Sequence, residues 1–339
     1  MNLGIITAIA AGIMLGLYAL PEKYTKDFEF ENTWGLMFFI NLLIVPVVAG
    51  FLLVSGFAAI IGSLSGEVLL KMTVASLAWG IGVMLWGKAI NYIGLSLGFS
   101  IFIGTVILVG SLLPFLVDGL PPTDAFLAIL AGIVVVLIGV IANGRAGMTR
   151  QSDEQEEATD SAPSGSGMST GILIAVGGGL LATGFSYANA AGRPAIHAAS
   201  QELGNPEWVT AIVVMAVIYV AGALFVMPYF LYQLSTQKFW GKFKTPAFGK
   251  NLFMTILMAV LNFAASVTFA YAAYQLGKAG NTVGYAIFNT VCVAVAILTG
   301  LFTGEWAKAS SKAKNFLYLG LGAMIVGVMV IAWGNGMAG

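Results

Sequence analysis

The 339-residue chain predicts an all-α polytopic membrane protein of ten transmembrane helices, arranged as two inverted five-helix repeats. Three observations predict it. First, 59% of residues are hydrophobic and only 9% charged, with mean hydropathy +0.92, whereas a soluble domain carries roughly 25% charged residues. Second, apolar stretches long enough to cross the hydrocarbon, about 20 residues each, recur along the whole chain. Third, the 43 glycines suit helices that pack closely in lipid through small residues. Lys plus Arg (15) balances Asp plus Glu (15), so nothing points to nucleic acid as a partner. The single cysteine, Cys292, excludes an internal disulfide, and with the single histidine, His197, leaves no Cys- or His-rich metal site.

Taken in order, the predicted spans cover residues 3–20, 34–54, 70–92, 96–117 and 124–143, then 169–191, 208–232, 250–274, 281–303 and 315–336. The first lacks a basic leading region and a small-residue cleavage site, and reads as a retained helix. Between the fifth and sixth spans, residues 145–168 hold Asp153, Glu154, Glu156 and Glu157 followed by Ser161-Ala162-Pro163-Ser164-Gly165-Ser166-Gly167. Such a stretch buries no core and predicts a disordered acidic linker. It divides the chain into a first repeat, 1–144, and a second, 169–339. Basic residues gather in the loops after spans 1, 5, 7 and 9 (Lys23, Lys26, Arg145, Arg150, Lys238, Lys242, Lys244, Lys308, Lys312, Lys314). The positive-inside bias then predicts these loops in the cytoplasm and both termini outside a bacterial-type inner membrane.

With five spans per half, the second half enters the membrane in the opposite sense. Gly94-Leu95-Ser96-Leu97-Gly98-Phe99-Ser100-Ile101-Phe102, opening span 4, matches Gly280-Asn281-Thr282-Val283-Gly284-Tyr285-Ala286-Ile287-Phe288, opening span 9, in register. A weaker match sets Gly4, Ala8 and Gly12 of span 1 against Gly171, Ala175 and Gly179 of span 6. Inverted repeats mark secondary transporters, whose binding site lies near the midplane between them.

Several segments carry a resemblance to a known family. They are Trp79-Gly80-Ile81-Gly82 leading to Asn91-Tyr92-Ile93-Gly94, Ile103-Gly104-Thr105 with Leu108-Val109-Gly110, and Asn189-Ala190-Ala191 with Arg193-Pro194 and His197. Glu305-Trp306 after span 9, with Glu31 and Trp34 ahead of span 2, complete the set. The chain resembles the L-rhamnose–proton symporter family, within the drug/metabolite transporter superfamily. The resemblance implies a sugar importer of the inner membrane, driven by a cation gradient and working by alternating access. It implies no enzymatic activity and no cofactor beyond the coupling ion, with protons favoured over sodium. Residues 281–303 contain no Asp, Glu, Lys, Arg or His, whereas the resemblance implies charged groups there as in enteric members, so sodium coupling through uncharged oxygens such as Ser96, Thr282, Asn281 and Asn289 stays open. A same-fold transporter of another metabolite and a membrane protein that moves nothing are the remaining readings.

A neutral sugar is bound by amides and hydroxyls, with aromatic faces against its C–H surface. The substrate-binding candidates are therefore Trp79, Trp86, Asn91, Asn189, Asn262, Tyr271, Gln275, Asn281 and Asn289. Trp79 and Trp86 are seven residues apart and share a face of span 3, while Asn262 and Tyr271, nine apart, fall on opposite sides of span 8. Ionisable groups at membrane depth are costly and mark function, which makes His197, Lys88, Asp118 and Glu305 the coupling candidates. His197 follows the predicted helix break at Gly192-Arg193-Pro194 and is the only side chain whose ordinary proton affinity lies near neutrality. The predicted partners are a small sugar and the lipid bilayer, with the oligomeric state left open.

Overall fold

The computed structural model describes residues 2–118, 120–157, 168–277, 280–304 and 306–338. Within these, the side chains of residues 2, 91, 94–97, 99, 111, 113–118, 151, 154–157, 281, 335 and 338 lie outside the description. Among the described residues every regular element is helical. The α-helices are α1 (Asn2–Leu17), α2 (Phe30–Phe39), α3 (Val45–Leu53), α4 (Phe57–Ser63), α5 (Gly66–Asp118) and α6 (Thr123–Glu157). They continue as α7 (Met168–Ala182), α8 (Gly184–Glu202), α9 (Glu207–Thr236), α10 (Phe248–Gln275), α11 (Tyr285–Phe302) and α12 (Ser311–Ala338).

Local chemistry explains several boundaries. Glu29 and Asn32 form a reciprocal capping box that opens α2. Between α2 and α3 the helix widens into a π-turn over Ile40–Ile44. Pro46 follows at once, and it lacks the N–H that would close an ordinary turn on the Leu42 carbonyl. The second π-turn, Gly280–Gly284, opens α11.

Nine segments among the described residues are long and apolar enough to cross a membrane, and Ser100–Gly110 is a shorter apolar helix. The nine coincide with nine of the predicted spans; the short one lies within span 4. The predicted break between spans 3 and 4 is not a gap in helix assignment, because α5 is continuous from Gly66 to Asp118. Yet the chain doubles back within it. The Trp86 and Phe102 rings lie 6.0 Å apart, where a straight helix would separate them by about 24 Å. A Cβ on Gly98 would sit 3.6 Å from the Ile90 Cα.

Two predicted boundaries are corrected. The predicted linker from Arg145 is helical as far as Glu157, held by contacts to the segment before α12: the Ser310 N–H donates to Asp153 Oδ2 at 3.1 Å and Arg150 lies over the Trp306 ring. Residues 158–167 lie outside the described residues. Nor does Gly192-Arg193-Pro194 end a helix; α8 runs through Pro194 to Glu202, and the interruption falls one element earlier, at Thr183.

Helices meet through glycines. α6 lies along α12, where Gly132 and Gly139 face Gly327 and Gly320 closely enough that a Cβ on any of them would stand under 3 Å from a carbonyl oxygen opposite. α1 packs on α10 and α11, and α7 packs on both arms of α5. A Cβ on Gly12 of α1 would meet Val291 Cβ at 2.7 Å and the Phe288 carbonyl oxygen at 2.8 Å. A Cβ on Gly179 of α7 would meet Thr105 Cβ at 2.7 Å and the Phe102 carbonyl oxygen at 2.8 Å. α9 is the most enclosed of these spans, and the cavity described below is built against it. Large apolar side chains such as Leu52 (77% exposed) and Phe302 (88%) face outward, as a lipid-contacting surface does.

Candidate functional site

A cavity of about 180 Å³ opens beside α9, walled by α1, α2, both arms of α5, α8, α10 and α11. That is smaller than the roughly 300–1,000 Å³ of drug-sized pockets and scaled to a compact ligand. Residues on both sides of the 158–167 stretch line it: Tyr18, Phe38, Trp79, Trp86 and Phe102 before, and Phe185, Tyr219, Asn262, Ser266, Tyr285, Phe288, Asn289 and Cys292 after.

The walls are aromatic. The Trp79 ring lies 5.4 Å from Tyr219 and 5.6 Å from Phe185. Glycines seat these rings: a Cβ on Gly222 of α9 would press on Trp79 Cζ3 at 2.8 Å, and one on Gly110 would collide with the Tyr285 ring. Phe288 stacks on Phe269 at 4.7 Å.

One polar network crosses the wall. Tyr219 Oη donates to Asn262 Oδ1 at 2.8 Å and lies 2.6 Å from Ser266 Oγ, so the serine hydroxyl donates in turn to the tyrosine oxygen. Asn41, fully buried at the π-turn, donates from Nδ2 to the same Asn262 Oδ1 at 2.9 Å. With its oxygen accepting twice, Asn262 keeps its Nδ2 hydrogens for the cavity. Asn289 donates to the Tyr285 carbonyl at 2.9 Å, which leaves its oxygen as an acceptor on the facing helix. The cavity thus offers amide and hydroxyl groups between aromatic faces, and among the described residues no carboxylate or ammonium lines it. Among the described residues no cluster of three metal-ligating side chains occurs.

Of the nine substrate candidates, Trp79, Trp86, Asn262 and Asn289 line this cavity. Asn189, Tyr271 and Gln275 do not. Asn189 is fully buried in α8, Tyr271 packs against the core, and Gln275 accepts a hydrogen bond from Thr7 at 2.9 Å, tying the ends of α10 and α1. The side chains of Asn91 and Asn281, like that of Ser96, lie outside the described residues. Tyr219, Ser266, Phe185 and Cys292 were not singled out by sequence; their only signal is the position of α9, α10, α8 and α11 in the bundle.

The coupling candidates divide. Glu305 and the Asp118 side chain lie outside the described residues, and Lys88 is exposed. His197 sits in a cluster where α8, α9 and α10 meet. Its Nδ1 is 3.2 Å from Thr210 Oγ1, and its ring lies 5.2 Å from that of Tyr274. Arg193, one turn earlier, is 5.0 Å above the same ring and donates to the Ala270 carbonyl. Tyr274 in turn donates to Glu207 Oε1 at 2.8 Å.

Against known proteins, residues 1–339 match the family described as L-rhamnose-proton symport protein (RhaT). The L-rhamnose-proton symporter of Yersinia pestis (strain Pestoides F) is 25% identical over 345 residues, spanning 99% of this chain and 98% of the relative. Those of Yersinia pseudotuberculosis serotype O:1b (strain IP 31758), at 25%, and Yersinia pestis bv. Antiqua (strain Antiqua), at 26% over 344 residues, align over the same shares. With the whole chain matched and its helices apolar enough to span a bilayer, the protein is a polytopic membrane protein of the L-rhamnose-proton symport family, a family of sugar transporters and not of enzymes.

Proposed function

We propose that this chain imports L-rhamnose or a closely related monosaccharide by proton symport across a bacterial inner membrane. The observation that carries the reading is the small cavity between the two halves, with Trp79 and Trp86 as flat apolar faces and Asn262, Ser266, Tyr219 and Asn289 as uncharged hydrogen-bonding groups. A 6-deoxy sugar has the matching surface: several hydroxyls and one methyl group. The names of the relatives point to the same cargo.

The architecture we infer is ten spans in two inverted five-helix repeats, 1–144 and 169–339, with the fold-back in α5 separating spans 3 and 4. Matching contacts support it. Gly12 and Gly179 occupy corresponding places in the register read from sequence, and so do the partners they meet, Phe288 with Val291 and Phe102 with Thr105. α1 against α10 and α11 mirrors α7 against the two arms of α5. The bias of basic residues supports a cytoplasmic location for the loops after α1, α6, α9 and α11 and an outer location for both termini. Transport then proceeds by rocking of the two repeats about the cavity. For coupling we favour His197, because it contacts groups on neighbouring spans, through Thr210 and Tyr274.

The test is uptake of labelled L-rhamnose into proteoliposomes under an inward proton gradient, then under an inward sodium gradient. Accumulation with protons alone is expected. Accumulation only with sodium would overturn the coupling assignment, and none with either would overturn the sugar. In the proton experiment, His197→Gln should reduce gradient-driven accumulation at least about tenfold while sparing counterflow exchange of sugar, since exchange needs no net proton movement.

A further inference from the structure

A second cavity, about 510 Å³, lies where the second arm of α5 meets α6 and α7. It shares no residue with the sugar-scaled cavity. Its surface is almost wholly apolar, and its floor is low because Gly104 and Gly144 carry no side chain. Leu108, Ile141 and Leu180 on its walls are more than a third exposed, so the hollow is a groove open to the surroundings of the bundle. In water such a surface would be costly; in a bilayer it is filled by hydrocarbon.

The groove has a length and a polarity. Its α6 side runs from Leu137 to Met148, eleven residue rises or about 16 Å, close to half of the ~30 Å hydrocarbon thickness. One end is apolar. The other carries Arg145, exposed at the rim. Two uncharged polar side chains line it: Thr105 donates to the Ile101 carbonyl of its own helix, and Ser100, at the Arg145 end, is likewise not free, so the interior asks for no hydrogen-bonding ligand. A hollow one leaflet deep, apolar throughout and cationic at its headgroup end fits a lipid, because anionic headgroups gather at basic side chains bordering transmembrane helices.

We infer that this groove binds one acyl chain of an anionic glycerophospholipid, with the headgroup phosphate held by Arg145. The site would bear on transport through geometry already described. Gly104 and Leu108 face the groove, while Ile103 and Val106, on the same turns of α5, face the sugar-scaled cavity. A chain seated in the groove therefore backs one wall of that cavity.

The test is native mass spectrometry of the purified protein, equilibrated with equal amounts of phosphatidylglycerol and phosphatidylcholine of identical acyl chains. Wild type should retain one lipid with about a fivefold preference for phosphatidylglycerol, the size expected for one arginine. Gly104→Leu fills the floor, and its Cβ would stand at an ordinary 3.7 Å from Leu137 and Val140; it should lose the retained lipid of either headgroup while keeping the wild-type melting temperature. Arg145→Gln should keep a lipid and lose the preference. Equal retention by Gly104→Leu and wild type would overturn the groove as the site, and so would a melting temperature that falls with the lipid. A wild type without headgroup preference, or one whose preference survives Arg145→Gln, would overturn the anionic assignment.

Discussion

Tyr219 shows how a single residue organises the cavity. Its hydroxyl bonds both Asn262 and Ser266, and Asn262 is held from behind by the hydrogen bond from Asn41. Tyr219→Phe removes that hydroxyl, frees Asn262 to turn, and leaves the buried Ser266 without its partner. At about 1 kcal/mol for a lost hydrogen bond, the KM for L-rhamnose uptake should rise about fivefold, and uptake kinetics at matched protein density in the membrane would show it. Cys292 supplies a second reading of the same place. It is the only cysteine and it lines the cavity, so alkylation by N-ethylmaleimide should abolish uptake and saturating L-rhamnose should slow the alkylation. Unchanged labelling in the presence of sugar would mean the sugar binds elsewhere. Trp79, Trp86 and Asn262 were legible in sequence because spacing places residues on helix faces. Tyr219 was not, because α9 is apolar on every side: where both core and surroundings are hydrocarbon, amphipathic patterning no longer reports which face turns inward.

At the scale of helices, glycine position decides what a substitution does. α7 carries three in succession. Gly178 and Gly179 are clamped against α5, with Cβ positions at 3.0 Å from the Gly82 carbonyl and 2.7 Å from Thr105, whereas a Cβ on Gly177 meets nothing within 4 Å. Gly179→Val should therefore destabilise by about 1–3 kcal/mol, and Gly177→Ala should be neutral or stabilising by up to about 1 kcal/mol; melting temperatures in detergent would separate them. Nine apolar spans were legible from length and hydropathy. The end of α6 was not. Its acidic composition reads as linker, yet Asp153 reaches the segment before α12, where hydrogen bonds from Ser310, then the charge of Lys312, hold its carboxyl below the ordinary carboxylate range. A carboxyl depressed in the folded state contributes stability above its unfolded value of about 3.9, and the contribution is lost as pH falls through the lower folded value. Amide exchange in residues 145–153 should stay slow at neutral pH and accelerate below about pH 4, and Asp153→Asn should accelerate it at neutral pH and abolish the acceleration on acidification.

Across the whole molecule, the two halves are tied at both ends of the bundle by the same device. Asn251, at the first turn of α10, accepts from the Lys26 N–H at 3.0 Å and donates to the Lys26 carbonyl at 2.7 Å. Asn205, between α8 and α9, accepts from the Ser55 N–H at 3.0 Å and donates to the Ser55 carbonyl at 2.9 Å. Each asparagine is buried and reads one backbone unit of the other half, so each clasp is two hydrogen bonds between the halves, which the proposed rocking would break where it opens that end. Rocking that opens one end must break that clasp and can leave the other intact. Removing an asparagine side chain takes about 1–3 kcal/mol from one closed end and shifts the population toward the state open there by about 5- to 150-fold. Asn251→Ala should therefore expose Cys292 to a membrane-impermeant thiol reagent applied from the face of the basic loops. Asn205→Ala should expose it from the opposite face, and the double variant should fall between them. Labelling of right-side-out and inside-out vesicles reads the difference. If both single variants open the same face, or neither changes the labelling rate, the clasps do not set the access of the cavity and the halves are held by the glycine-packed helices alone.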